Sequence, residues 1–286
     1  MKLKTIAKML GGIALFAGAS VTQAAYNLPI PGGNFLLSDN SAEYLIKGAG
    51  NTGTTLQVGD VLRGIFVIDD INQVPILGSG SGYSELSGLF ETKVLSAGGG
   101  PGNYTWTFGA NTGSAFTSTY GAGATIAWFT DPNHEYVRQT STGQTISQLE
   151  ALVTNGSLLW VSGFADSDNF WRASAITNDT TPPSIPPNIA FGQYQWGLDL
   201  LTNNSGLLFN QVSCFNVDTF AVTNVDQCGN GQIFTPAPST GYTTPYSVWD
   251  DQNINMNRIP EPATLGLLAL GLIGLGAAGR KSRKSA

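Results

Sequence analysis

Apolar residues in the middle of the chain come in short runs, at 61–68, 86–95, 104–108, 125–130 and 157–164, each closed off by Gly, Asn, Asp or Pro. Runs of that length with turn residues between them read as strands of an all-β domain. In 104–108 the aromatics Tyr104, Trp106 and Phe108 alternate with Thr105 and Thr107, so one strand face is aromatic and the other hydroxylated. Residues 189–200, 207–212 and 219–225 read the same way. One stretch has helical spacing instead: over 145–153, Ile146, Leu149, Leu152 and Val153 share a side, with Thr145 or Ser147 as cap. Four prolines make 179–187 an extended loop, because proline neither donates to a ladder nor continues a helix. From 235 to 258 the alternation fades into Pro, Thr, Ser, Asp and Asn, the composition of a flexible stalk. The expectation is a mostly β chain with a single β-sandwich or jelly-roll-like domain over 25–234 and no internal repeat.

Two apolar stretches break this rhythm, one at each end. Lys2, Lys4 and Lys8 precede an apolar run at 9–19 and small residues ending at Ala24, with Thr22 at minus three. That is the layout of a secretory signal peptide over 1–24, cut after Ala24. At the other end, 263–279 is a seventeen-residue run without a charge. As a helix it reaches about 25 Å against a hydrocarbon core of roughly 30 Å. Five glycines make it a marginal anchor. No polar face recurs within it, so a transmembrane helix fits better than a buried core helix.

Charge follows the same division. Three basic residues precede the first apolar run and four follow the last, where the positive-inside rule wants them. The body between holds six basic and eighteen acidic residues, a formal charge of −12. That balance excludes nucleic acid, whose binding rests on Lys and Arg displacing counterions. Neutral polysaccharide, a divalent cation or a basic partner remains compatible. Charged residues are 11% of the chain and glycines number 36, so neutral polar groups carry much of the solubility, a composition that disfavours helix. Cys214 and Cys228 are the two cysteines, in a compartment that permits a disulfide. Closing a loop of that size stabilises by about 3 kcal/mol in the chain-entropy model.

Chemistry is harder to find. The single histidine, His134, lies in a turn, with no GxSxG elbow, HExxH or Cys/His cluster around it, and is expected to be solvated. Acidic pairs occur at Asp69 and Asp70, Asp166 and Asp168, and Asp250 and Asp251. A glycosidase needs two carboxyls about 5 to 9 Å apart, but neighbours in a strand face opposite ways, and solvated strand ends explain such pairs more simply. Asp166 and Asp168 offer alternate oxygens as calcium would want, though an EF-hand fails with Trp171 and Thr177 at its sixth and twelfth positions. Trp106, Trp128, Trp160, Trp171 and Trp196 sit among apolar neighbours and read as core before they read as a sugar-stacking platform. No catalytic residue and no required cofactor is expected.

Pro260, Glu261 and Pro262, followed by the apolar run and then Arg280, Lys281, Arg283 and Lys284, resemble the tripartite tail of bacterial PEP-CTERM surface proteins. The resemblance covers about the last tenth of the chain. It implies recognition by an exosortase, after signal peptidase has acted at the other end, with only transient residence in the inner membrane. The fate it implies is cleavage near Pro260 and a place at the cell surface or outside the cell. The organisation expected is 1–24 signal peptide, 25–234 body, 235–258 stalk and 259–286 sorting tail. The role expected is non-enzymatic, in exopolysaccharide, biofilm or floc structure or in adhesion. The alternatives are a secreted carbohydrate-active enzyme or a lectin-like glycan-binding module.

Overall fold

The computed structural model describes residues 26–53, 55–135, 144–179, 190–234 and 248–260. The signal peptide with Ala24 and the apolar span 263–279 lie outside the described residues, as do Glu261 and Pro262. Among the described residues no helix is long and apolar enough to cross a membrane.

The strands are β1 (Gly33–Ile46), β2 (Val61–Ile71), β3 (Val74–Pro75), β4 (Glu85–Gly100), β5 (Asn103–Gly109), β6 (Ala124–Asp131) and β7 (Ser157–Gly163). There follow β8 (Phe170–Ala175), β9 (Ala190–Asn203), β10 (Phe209–Asn210), β11 (Val212–Asn216), β12 (Ala221–Val225), β13 (Gln227–Phe234) and β14 (Val248–Arg258). Two short helices, α1 (Ala115–Tyr120) and α2 (Ile146–Val153), lie between them. Thr145 is the cap of α2: its hydroxyl accepts from the Gln148 amide and the Gln148 side chain accepts from the Thr145 amide.

All pairings are antiparallel, and they do not form two stacked sheets. The order β2-β1-β14-β13-β9-β7-β6-β4 returns to β2 through the pairing of 61–67 with 87–93, so one sheet closes on itself. This replaces the expected sandwich with a barrel. Closure follows from the length of two strands. β4 pairs first with β6 and then with β5, β9 pairs first with β8 and then with β7, and β5 pairs with β8. The wall therefore forks, and closure removes the exposed edges that an open sheet would leave.

The barrel interior is a cluster built on Trp128, Trp160, Trp196, Phe66, Leu37 and Ile254. A second cluster, with Ile65, Val67, Leu89, Phe129 and Val161, lies on the outer wall beneath Phe116 of α1 and Leu149 and Val153 of α2. Strands buried on both faces need apolar residues at successive positions, which is why 65–68 is an unbroken apolar run. Arg63 fastens α2 from beneath: Nε and Nη2 donate to the Glu150 carboxylate at 2.7 and 2.9 Å, and Nη1 donates to Glu91 at 2.6 Å. A half-buried bidentate pair of this kind is worth about 2 kcal/mol. Arg63→Ala is expected to lower stability by that amount in urea unfolding, with α2 protected less from hydrogen exchange.

The expected stalk is half corrected. Residues 235–247 lie outside the described residues, but 248–258 are β14, a central strand bonded to β1 on one side and β13 on the other. Val248, Asp250, Gln252, Ile254 and Met256 point inward and are buried. The alternation is complete, but two of its inward residues are polar and its outward ones, after Trp249, are Asp and Asn, so it does not register as amphipathic. The folded body thus runs to Arg258, whose Nη1 donates to the Ile30 carbonyl at 2.7 Å.

Candidate functional site

Three polar constellations stand out, one inside the barrel and two on its surface. The interior one comes from alternate inward residues of β1 and β14. Asp39, Glu43 and Asp250 are only 1%, 8% and 3% exposed, and among the described residues no lysine or arginine pairs with any of them. Asp39 accepts from Gln252 Nε2, Asp250 accepts from the Ser41 hydroxyl, and Glu43 and Asp250 share a hydrogen bond. Burial, then repulsion from Asp250, holds Glu43 and Asp39 well above the usual carboxylate range. Burial also raises Asp250, to about 6, against the opposing hydrogen bonds of Tyr194 and Glu43. Within this pair Glu43 is the protonated partner and donates to Asp250, since the shared bond raises Glu43 and lowers Asp250.

Glu43 and Asp250 border a cavity of about 70 Å³ lined by Phe90, Trp106, Phe108, Trp171, Phe191 and Tyr194. That volume holds a few waters. It is far below the several hundred Å³ of a ligand pocket. Two carboxyls in direct contact are also unlike the separated acid and base that glycoside hydrolysis uses. The pair Asp250 and Asp251 is split by the pleat, one inward and one outward.

The way β9 reaches β14 depends on two glycines of β13. Trp196 is paired with Gly229 and Tyr194 with Gly231. A Cβ at Gly229 would fall 2.2 Å from the indole ring, and one at Gly231 would fall 2.5 Å from the Tyr194 hydroxyl. Lacking it, both rings lie across β13, and Trp196 Nε1 donates to Gln252 Oε1 at 3.3 Å. Trp106, Trp128, Trp160 and Trp171 are buried too, as the sequence led one to expect.

The second constellation is a groove of about 780 Å³ on the outer face of β5, β8, β9, β13 and β14. Its floor is a register of polar side chains, mostly amides and hydroxyls, with Arg172 and Asp251 as its charges. Asn253 of β14 pairs with Asn230 of β13, Asn230 with Gln195 of β9, Gln195 with Arg172 of β8, and Arg172 with Thr107 of β5. One pleat along, Asp251, Gln232, Gln193, Ser174 and Thr105 form a parallel row. Arg172 is ion-paired with Asp218. Val217, beyond β11, helps wall the groove, and the Cys214–Cys228 disulfide, Cα to Cα 5.6 Å, ties the β11–β12 hairpin to β13. Phe234 and Trp249 stack at 4.5 Å in the next row. None of these rows was singled out from sequence, although Gln193-x-Gln195, Asn230-x-Gln232 and Asp251-x-Asn253 carry a period-two signal of amides and acid.

The third lies in the loop before β8. Asp166 and Asp168 are joined by Asp199 of β9, with one carboxylate oxygen of each within 4.8 Å of the others. Hydrogen bonding with Asp166 raises the Asp168 pKa. Much of the cluster is already engaged, since Asp166 accepts from the Asp168 amide and Asp199 from the Asp226 amide and Asn169 Nδ2. His134 is not the solvated residue expected. It is partly buried, with Nε2 2.6 Å from the Tyr83 carbonyl. Asp69 accepts from Asn40 Nδ2, and Asp70 from the Gln73 amide at 2.8 Å.

Pro260 closes the described chain against Gly32, immediately after β14. A PEP-CTERM protein-sorting motif matches residues 258–284. The motif marks the chain as an exported, membrane-associated protein targeted to an exosortase. No curated protein and no solved structure matches the chain.

Proposed function

We propose that this is a non-enzymatic protein of the cell surface or extracellular matrix, anchored briefly in the inner membrane, cut by exosortase near Pro260 and acting in exopolysaccharide, biofilm or floc structure or in adhesion. The observation that carries the reading is the sorting motif joined to an acidic β-barrel. Its start, at residue 258, coincides with the end of β14. Support for a non-catalytic role comes from the interior acids, which touch each other beside a cavity too small for a sugar, and from the docked histidine. The lectin-like alternative gains from the amide-lined groove, and the enzyme alternative does not.

Intact-mass analysis of the protein from the extracellular fraction tests the reading. The native form is expected to lack 1–24 and everything from the basic cluster at 280–286. With Pro260, Glu261 and Pro262 all replaced by alanine, the chain is expected to keep its tail and stay with the membrane. Recovery of the native protein with Arg280–Ala286 attached would refute the processing.

A further inference from the structure

We infer that the outer groove over β14, β13, β9, β8 and β5 binds an extended, uncharged polysaccharide laid across the strands, an inference that rests on the extracellular reading above. Strands in a sheet stand about 4.8 Å apart, so a row crossing five of them presents a polar side chain at each step over about 19 Å. The row Asn253, Asn230, Gln195, Arg172, Thr107 and its neighbour Asp251, Gln232, Gln193, Ser174, Thr105 do so in register. Each amide carries two donors and an acceptor, so it serves a sugar hydroxyl whichever way the hydroxyl points. A polymer with hydroxyls repeating about once per strand spacing is the chemistry that such a floor matches. The Gln195 Oε1 acceptor on this floor is itself buried without a hydrogen-bond partner.

Charge selects the class. The one cation of the floor, Arg172, is already neutralised by Asp218 on the hairpin, and the other charge is the acidic Asp251. A polyuronate or a phosphate-bearing polymer would therefore find no free cation and would meet a body of formal charge −12. Aromatic surface is offered at one margin by the stacked Phe234 and Trp249, to which the apolar face of a sugar ring is complementary. The groove volume is also within the range that binding clefts occupy.

The test is binding by the full-length chain in a mild detergent to a length series of neutral gluco-, manno- and galacto-oligosaccharides, with a polyuronate as the charged comparison. Affinity for at least one neutral series is expected to climb with length and then level off once the glycan spans the five strands, with the polyuronate weaker. Gln195→Glu and Gln232→Glu keep side-chain shape but place charge on the floor, and together they are expected to weaken neutral-glycan binding about tenfold or more. Thr119→Ala, exposed on α1 and outside the groove lining, is expected to leave it unchanged. Unfolding midpoints measured alongside confirm that the variants fold. Folded wild type that binds no neutral series, variants that bind like wild type, or preference for the polyuronate would each overturn the inference. Such a failure would leave export and processing standing, and retention of the basic tail would leave glycan binding standing, so the two readings fail separately.

Discussion

A methyl group placed on Gly229 is expected to destabilise this protein by about 3 kcal/mol or more, the upper end of what overpacking a core costs. The added Cβ would fall 2.2 to 2.6 Å from three atoms of the Trp196 indole. The indole has little room to retreat, because it is fully buried, packs against Trp171 at 5.9 Å and donates to Gln252. Losing that last bond would also leave a polar ring nitrogen unpaired in the barrel. Equilibrium urea unfolding of Gly229→Ala, followed by tryptophan fluorescence, reads the effect. Gly80→Ala, where nothing lies within 4 Å of the new Cβ, should shift stability by no more than about 0.5 kcal/mol. Trp196→Leu in the Gly229→Ala background should recover part of the loss, since the two changes are coupled through one contact. If Gly229→Ala unfolds at the same urea concentration as wild type, the rings do not cross β13 as described.

The same pair shows why some of the barrel was legible in the sequence and some was not. Strands β2, β6 and β7 announce themselves because their inward and outward positions are mostly apolar or aromatic, β4 by a shorter apolar run and β5 by aromatics alternating with threonines, and the capping box at Thr145 announces α2. Strand β14 does not, since Asp250 and Gln252 are buried by partners that lie more than 200 residues away at Asp39 and Ser41. Nothing local says that an aspartate will point into a barrel. The bond between Cys214 and Cys228 could be read from composition and compartment, whereas its consequence, a hairpin standing over the β13 face, needed the fold. The candidate groove escaped because amides at period two look like solvent-facing filler until strand register lines them into rows. Asp166 and Asp168 were found as neighbours in a loop, but Asp199 joins them only through the pairing of β7 and β8 with β9. A barrel whose central strand ends at Arg258 also cannot close until nearly the whole body has crossed the membrane, which a stalk in that position would not have required.

Acidification from about pH 8 to about pH 5 is expected to strengthen the fold, the opposite of what most carboxylates do. In the unfolded chain Asp39, Glu43 and Asp250 return to ordinary values near 3.8 and 4.5. In the barrel all three are raised, by burial first, so between those values and the raised ones the folded chain holds protons that the unfolded chain has released. Stability from these groups is therefore complete below the ordinary values and is lost as pH climbs through the raised ones, where charge is forced into the barrel. The move of Asp250 from 3.8 to about 6 is by itself worth about 3 kcal/mol over its whole span, of which about 1.4 kcal/mol is gained by pH 5. Asp60 works in the other direction. Burial opposes its charge, but Lys47, the Gly48 amide, Asn51 and the Gln57 amide outweigh it, and its contribution is lost as pH falls through and below the ordinary value. The two trends place the stability maximum on the acid side of neutral. Glu43→Gln separates them, because the amide still donates to Asp250 but no longer titrates. Urea midpoints across this pH range should therefore rise on acidification in wild type, and the variant should be the more stable of the two at pH 8 with a flatter profile. A wild-type midpoint that declines steadily from pH 8 to pH 5, with Glu43→Gln running parallel to it, would mean that the three interior carboxyls are charged and solvated, and that the barrel is open to water where it has been described as closed.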